Sequence, residues 1–140
     1  MKITIGLPFF NAEDDLPDAI RSIFAQTHQD WELILIDDGL TDRSLDIARS
    51  VQDPRVRVVS DGRNLRLAAR LNQIVDLAQT EIIVRMDADD LIAPERIERE
   101  LAVLQAEPGI DLVSTGLVSI DRKGEPFGAR SHFADTVTRE

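Results

Sequence analysis

Apolar residues gather into five short runs, Ile3 to Leu7, Glu32 to Ile36, Val56 to Ser60, Ile82 to Met86 and Leu112 to Val118, each closed by turn-forming or acidic residues. Most are rich in Ile, Val or Leu on both alternating faces, the pattern of strands buried in a parallel sheet. Between them the period lengthens. Leu16, Ala19, Ile20, Ile23 and Phe24 recur at the spacing of one helical face. A second helical segment carries Leu45, Ala48 and Val51, with Thr41 or Asp42 as candidate N-cap, and a third carries Leu67, Leu71, Ile74, Val75 and Ala78. The fourth opens near Pro94 and buries Ile97, Leu101 and Leu104. It pairs Glu95 with Arg99 on its wet side and stops at EPGID, residues 107–111.

Alternating βα units predict an α/β fold, a doubly wound and mainly parallel sheet with helices on both faces and right-handed crossovers. Such sheets bind ligands in the crevice beyond the carboxyl ends of their strands. Three predicted strand ends are chemically unusual: LPFFN at 7–11, IDDG at 36–39 and MDADD at 86–90. Asp37, Asp38, Asp87, Asp89 and Asp90 therefore fall along one edge of the sheet. Like charges in a partly desolvated crevice either take up protons or share a cation. With no Cys and only two His in the chain, oxygen ligands remain, and these favour Mg2+ or Mn2+. The spacing Asp87-x-Asp89 suits a turn in which one carboxylate grips the metal while the other reaches a neighbouring hydroxyl.

Taken singly, each acid has a duller reading. Asp38-Gly39 is a common turn dipeptide, and Asp90 or Asp42 serves as well for a helix cap. Their joint placement at successive strand ends favours a site. Phe9 and Phe10 divide evenly between packing under a loop and stacking on a base, and Asn11 suits a turn. His28 and Trp31 fall in a helix-to-strand connection and carry no chemistry.

Composition narrows the partners. At 140 residues and 43% hydrophobic content the chain can build one ordinary core. Acids outnumber bases 26 to 16, so nucleic acid and anionic lipid are repelled rather than steered, and Lys2 and Lys123 are the only lysines. No run reaches the ~20 apolar residues of a membrane span, and Met1 to Gly6 leads straight into the first strand. A cytoplasmic protein without a transmembrane segment is the expectation. G-x-G-x-x-G does not follow the first strand and no P-loop motif occurs, so neither common nucleotide-binding solution applies.

Four segments in order carry a resemblance. They are Pro8-Phe9-Phe10-Asn11, Gln26 to Asp42 (QT…WELILIDDG.TD), Asn64 to Asn72 (NLRLAARLN), and Asp87 to Asp90 followed by Pro94. Over residues 2 to about 120 the chain resembles the inverting family 2 glycosyltransferases, which have the Rossmann-like GT-A fold. The resemblance implies that Pro8, Phe10 and Asn11 line a nucleoside pocket and that Asp38 hydrogen-bonds the base. It implies that Asp87 contacts the ribose or supports a metal, and that Asp89 coordinates Mn2+ or Mg2+ at the diphosphate. The implied partners are a nucleotide-diphosphate sugar, with UDP first and dTDP or GDP next, and a glycan or other hydroxyl acceptor; the oligomeric state is open. Two positions depart from the family pattern: Leu40 stands where Ser is usual, and Arg66 where Gly is usual.

On this reading residues 1–120 form the donor-binding domain, and residues 121–140 are a turn-rich tail or the start of an acceptor-binding half. Beyond Ser119, Asp121, Glu125, Asp135 and Glu140 stand in no matching motif, so the general base is unassigned. The chain is expected to bind nucleotide and to transfer sugar poorly or not at all. A noncatalytic interaction module on the same fold is the alternative. A phosphoacceptor signalling domain fits worse, because the first strand ends in Pro-Phe-Phe-Asn, the third in Ser60-Asp61-Gly62, and Lys123 lies in a predicted turn.

Overall fold

The computed structural model describes residues 1–39 and 41–130. In chain order the elements are β1 (Ile3–Phe9), α1 (Leu16–Phe24), β2 (Trp31–Asp37), α2 (Ser44–Arg49), β3 (Val56–Val59), α3 (Arg66–Leu77), β4 (Ile83–Arg85), α4 (Arg96–Ala106), β5 (Leu117–Ile120) and β6 (Pro126–Arg130). The chain divides into two compact units, Met1–Pro94 and Glu95–Glu140. Leu40, Asp135 and Glu140 lie outside the described residues.

In the first unit β1 to β4 form a parallel sheet in the order β3-β2-β1-β4. The sequence ITIGLPF of β1 is buried at every position, as a central strand covered on both faces must be. On one face Ile34 and Ile36 pack with Ile74 of α3, flanked by Val59, Leu71, Leu77 and Ile83. Gly6 makes that packing possible: a Cβ there would stand 2.5 Å from Ile74 Cγ2. By strand alternation Ile3, Ile5, Leu7, Phe9, Leu33 and Leu35 point to the other face, and all are buried. The α1 stripe of Leu16, Ala19, Ile20 and Ile23 is buried as its period predicts. Each such Leu or Ile removed from water contributes about 1.5–3 kcal/mol before conformational entropy is set against it.

Several elements differ from the sequence expectation. Trp31 opens β2 instead of connecting to it, edge-on to Phe24 at 5.2 Å and beneath the Arg55 guanidinium at 3.8 Å. α2 ends before Val51, and its N-cap is Arg43, with no side-chain cap, rather than Thr41 or Asp42; Asp42 stands one residue earlier, its Oδ1 accepting from Ser44 N at 2.9 Å and Ser44 Oγ at 2.7 Å. On α3 the predicted stripe is turned. Leu67 and Val75 are 46% and 59% exposed, whereas Arg70 is fully buried on the same face as Ile74.

In the second unit, α4 carries an ion pair between Arg96 and Glu100 at 3.0 Å, one position on from the expected Glu95 and Arg99. The run Leu112 to Val118 does not add a fifth parallel strand. Instead β5 pairs antiparallel with β6. The turn decides this: Asp121 Oδ1 accepts from Lys123 N and Glu125 N, and Gly124 takes a φ of 82°. Local hairpin chemistry thus competes successfully with a long crossover to the sheet. Among the described residues no helix is long and apolar enough to cross a membrane.

Candidate functional site

All four strands run parallel, so their carboxyl ends meet at one edge. The order of the sheet reverses between β1 and β4, and a doubly wound sheet opens its ligand crevice at that reversal. The opening has a local cause. β4 pairs with β1 only from Thr4 to Gly6, and Met86 N donates the last bond to Gly6 O at 3.0 Å. The next residue of β1 whose backbone faces β4 is Pro8, which has no N–H and cannot continue the ladder. On its other side β1 stays paired to β2 as far as Phe9 opposite Asp37, and Asp38 N donates to Phe9 O at 3.0 Å. β1 and β4 therefore part where β1 and β2 do not. A cavity of about 320 Å3, lined by Lys2, Glu32, Arg55, Arg57, Leu77 and Gln79 among others, lies at the opposite edge, where the strands begin. By the rule of the fold it is the wrong edge for the ligand.

The expected row of five carboxylates divides into two kinds. Asp37 and Asp38 are buried and clasped by the protein. Asp37 Oδ1 accepts from Gly39 N at 2.7 Å and its Oδ2 from Ser60 Oγ at 2.6 Å. Asp38 Oδ1 accepts three hydrogen bonds, from Leu65 N (2.8 Å), Arg66 N (3.1 Å) and Arg70 Nε (3.0 Å). The acids after β4 are more open. Asp87 holds a two-pronged pair with Arg85 Nη2 at 2.9 Å to both oxygens, and Asp90 N donates to Asp87 O, forming the turn. Asp89 is exposed and makes no hydrogen bond or ion pair among the described residues. Among those residues no group of three or more His, Cys, Asp or Glu is gathered as a ready metal cage. Asp87 and Asp89 instead offer hard oxygen donors, one of them unpartnered. That fits a cation such as Mg2+, which keeps waters and takes one or two protein carboxylates.

The loop after β1 is tied to the loop after β2. Asn11 Oδ1 accepts from Thr41 N at 2.9 Å, Ala12 N donates to Ser44 Oγ at 2.9 Å, and Glu13 Oε2 accepts from Arg43 N at 3.1 Å. Asn11 takes a φ of 47°, a left-handed conformation that asparagine tolerates well. Pro8 and Phe9 are buried in the strand, while Phe10 is 50% exposed at the rim, so only the second phenylalanine is free to stack.

Sequence reading missed Arg70 and Asp61. The Arg70 guanidinium also meets Asp61 at 2.7 Å and Gln73 at 2.8 Å, and donates to the carbonyl of Arg63. These hydrogen bonds, then the backbone N–H of Arg63, hold the Asp61 carboxyl down to about 2. The available signal was a charged residue four before Ile74, on the buried face of a helix, where unpaired charge is rare. Arg66 takes a φ of 69°, the left-handed region in which glycine is unstrained. That explains glycine as the usual residue of the family pattern at this position. The Arg66 side chain is exposed and makes no hydrogen bond or ion pair among the described residues.

A mainly parallel, Rossmann-like sheet with helices is the architecture of GT-A glycosyltransferases. The family described as Glycosyl transferase family 2 matches residues 4–137, and the chain belongs to it. EpsE of Bacillus subtilis (strain 168), named as a glycosyltransferase, is 36% identical over 126 residues, covering 88% of this chain and 45% of its own length. The chain thus spans about half the length of that relative. Among solved structures, S. aureus TarS 1–349 in complex with UDP-GlcNAc superposes with a TM-score of 0.70 at 23% identity, over 76% of this chain and 32% of that one. The mannosyltransferase PcManGT from Pyrobaculum calidifontis, in complex with GDP-Man and Mn2+, has a TM-score of 0.71 at 22% identity, over 86% and 35%.

Proposed function

We propose that this chain is the donor-binding part of an inverting glycosyltransferase, holding a nucleotide-diphosphate sugar at the opening between β1 and β4 with the help of a divalent cation. The observation that carries the reading is Asp89: an exposed carboxylate with no partner among the described residues, two positions after Asp87, in a chain of this family. Asp89 would hold Mn2+ or Mg2+, and Asp87, released from Arg85, would support it or bind the ribose. When bound, the cation neutralises the diphosphate and stabilises it as leaving group. Pro8, Phe10 and Asn11 line the nucleoside side of the opening, and Asp38 accepts from the base. UDP is the first candidate nucleotide; TarS with UDP-GlcNAc and PcManGT with GDP-Man and Mn2+ support a nucleotide sugar and a metal of this kind.

The acceptor is a hydroxyl of a glycan or similar molecule, attacking in line with the departing diphosphate. No residue of this chain is assigned as its general base; Asp121, the first acid after β5, has an oxygen engaged by two backbone N–H groups of its own turn. The test is calorimetric titration of UDP, dTDP and GDP with Mn2+, with chelator, and in Asp89→Asn. Binding is expected with Mn2+, is strongly weakened in chelator, and falls at least about tenfold in the variant, since a charged contact contributes ~1.5–3 kcal/mol. A folded chain that binds none of the diphosphates would overturn the proposal in favour of a noncatalytic module.

A further inference from the structure

Arg70 has no exposed surface, yet every one of its N–H groups is used. Nε donates to Asp38 Oδ1 at 3.0 Å, Nη1 to Asp61 Oδ2 at 3.2 Å and Gln73 Oε1 at 2.8 Å, and Nη2 to Asp61 Oδ1 at 2.7 Å and to Arg63 O. A guanidinium has five donors, and five acceptors surround it. It thereby fastens the 61–66 loop over Gly39, where a Cβ would come within 2.8 Å of Asn64 N.

The consequence falls on Asp38. This residue is only 8% exposed, and its Oδ1 is saturated by Leu65 N, Arg66 N and Arg70 Nε. Its Oδ2 makes no hydrogen bond among the described residues. Nor is that oxygen sealed off, because the buried side-chain polar atom without a partner there is Trp31 Nε1 alone. A largely buried carboxylate with one oxygen fixed three ways keeps the other able to accept from a donor outside the chain.

We propose that Arg70 is a positioning residue for nucleobase selection. By fixing Oδ1 it leaves Oδ2 as an acceptor that cannot turn away. The nucleotides favoured are those whose base offers a ring N–H there: uracil, thymine or guanine. Cytosine and adenine present a ring-nitrogen acceptor instead, and acceptor facing acceptor leaves both groups unpaired, a mismatch that discriminates strongly in a buried site. Without Arg70, Asp38 is a buried charge with no counterion, and the loop that frames it loses its fastening.

This inference rests on the donor-site reading above, and the experiment separates the two. UDP and CDP are titrated with Mn2+ into the wild-type chain, Arg70→Met, Arg70→Lys and Asp38→Asn, each checked for native circular dichroism. The wild-type chain is expected to prefer UDP by roughly tenfold or more, and Arg70→Met to reduce that ratio to within about threefold. Arg70→Lys, which keeps the charge but not the planar fork, restores part of it. Simple loss of stability would weaken both nucleotides alike and leave the ratio unmoved. A folded Arg70→Met with the wild-type ratio overturns the proposal. Should that variant not fold, Arg70→Lys decides: a UDP-to-CDP ratio clearly below that of the wild type supports the assignment, and the wild-type ratio overturns it. Equal binding of UDP and CDP by the wild-type chain overturns this inference alone, whereas binding of neither overturns the donor site on which it rests.

Discussion

Asp38 and Asp61 share one guanidinium, but their surroundings give them different work. Asp38 is buried at the strand end, while Asp61 lies in the loop before α3 with its side chain 35% exposed. The hydrogen bonds from Arg70 hold Asp61 at about 2, below its ordinary 3.8. A carboxyl with a depressed folded-state pKa takes up its proton later in the folded chain than in the unfolded one. Its contribution to stability is therefore complete above about pH 4 and fades as pH falls toward about 2. Asp61→Asn is expected to be less stable than the wild type at neutral pH, and to lose stability less steeply between about pH 4 and pH 2. Urea midpoints at several pH values across that window measure both. Equal slopes for the two proteins would mean that other carboxylates set the acid limit. The same pair shows what could be read beforehand. Asp38 was legible as a site acid because it ends a strand in a recognisable motif. Arg70 was not, because it fills an unspecified position between Ala69 and Leu71 and its partner Asp38 stands 32 residues away.

Between elements, the contact of β1 with α3 rests on the absence of an atom. Gly6 lies under Ile74, and a methyl group there would overlap Ile74 Cγ2 at 2.5 Å and Cδ1 at 2.9 Å. Gly6→Ala should push α3 away from the sheet and destabilise the chain by about 1–3 kcal/mol, the usual range for overpacking. Shortening the partner should relieve it, so Gly6→Ala with Ile74→Val is expected to lose less than the sum of the single changes, by at least ~0.5 kcal/mol. Strict additivity in chemical denaturation would show that the helix moves without strain. α3 also carries Asp38's partners Leu65 and Arg66 at its start, so this packing and the site are mechanically joined. Periodicity disclosed β1 to β4 and the helices between them because each is a continuous apolar pattern within one segment. The fate of Leu112 to Val118 was hidden because it depends on a competition between a nearby hairpin and a distant sheet, and Asp121 and Gly124 tip it. The parting of β1 from β4 at Pro8 was equally invisible until the register was known.

For the whole molecule the governing quantity is charge. The chain carries a formal net charge of -10, and the ligand proposed for it is an anion, so the long-range field opposes the encounter. Close to the opening the balance is mixed: Asp87 and Asp89 repel a diphosphate, while Arg66 stands unpaired at the start of α3. A divalent cation resolves the conflict by converting the two carboxylates from repulsive groups into ligands. Salt should expose this. With chelator present, residual UDP affinity is expected to rise as ionic strength increases from about 0.01 M to 0.15 M, because the screening length shrinks from about 30 Å to about 8 Å and repulsion fades. With Mn2+ saturating, the dependence should flatten or reverse, since the site then presents a positive centre at short range, where screening is weak. Titrations at fixed pH with and without metal decide it. Metal-free affinity that falls with added salt would mean that the arginines around the opening outweigh the acids, so that the cation is needed for the leaving group rather than for binding.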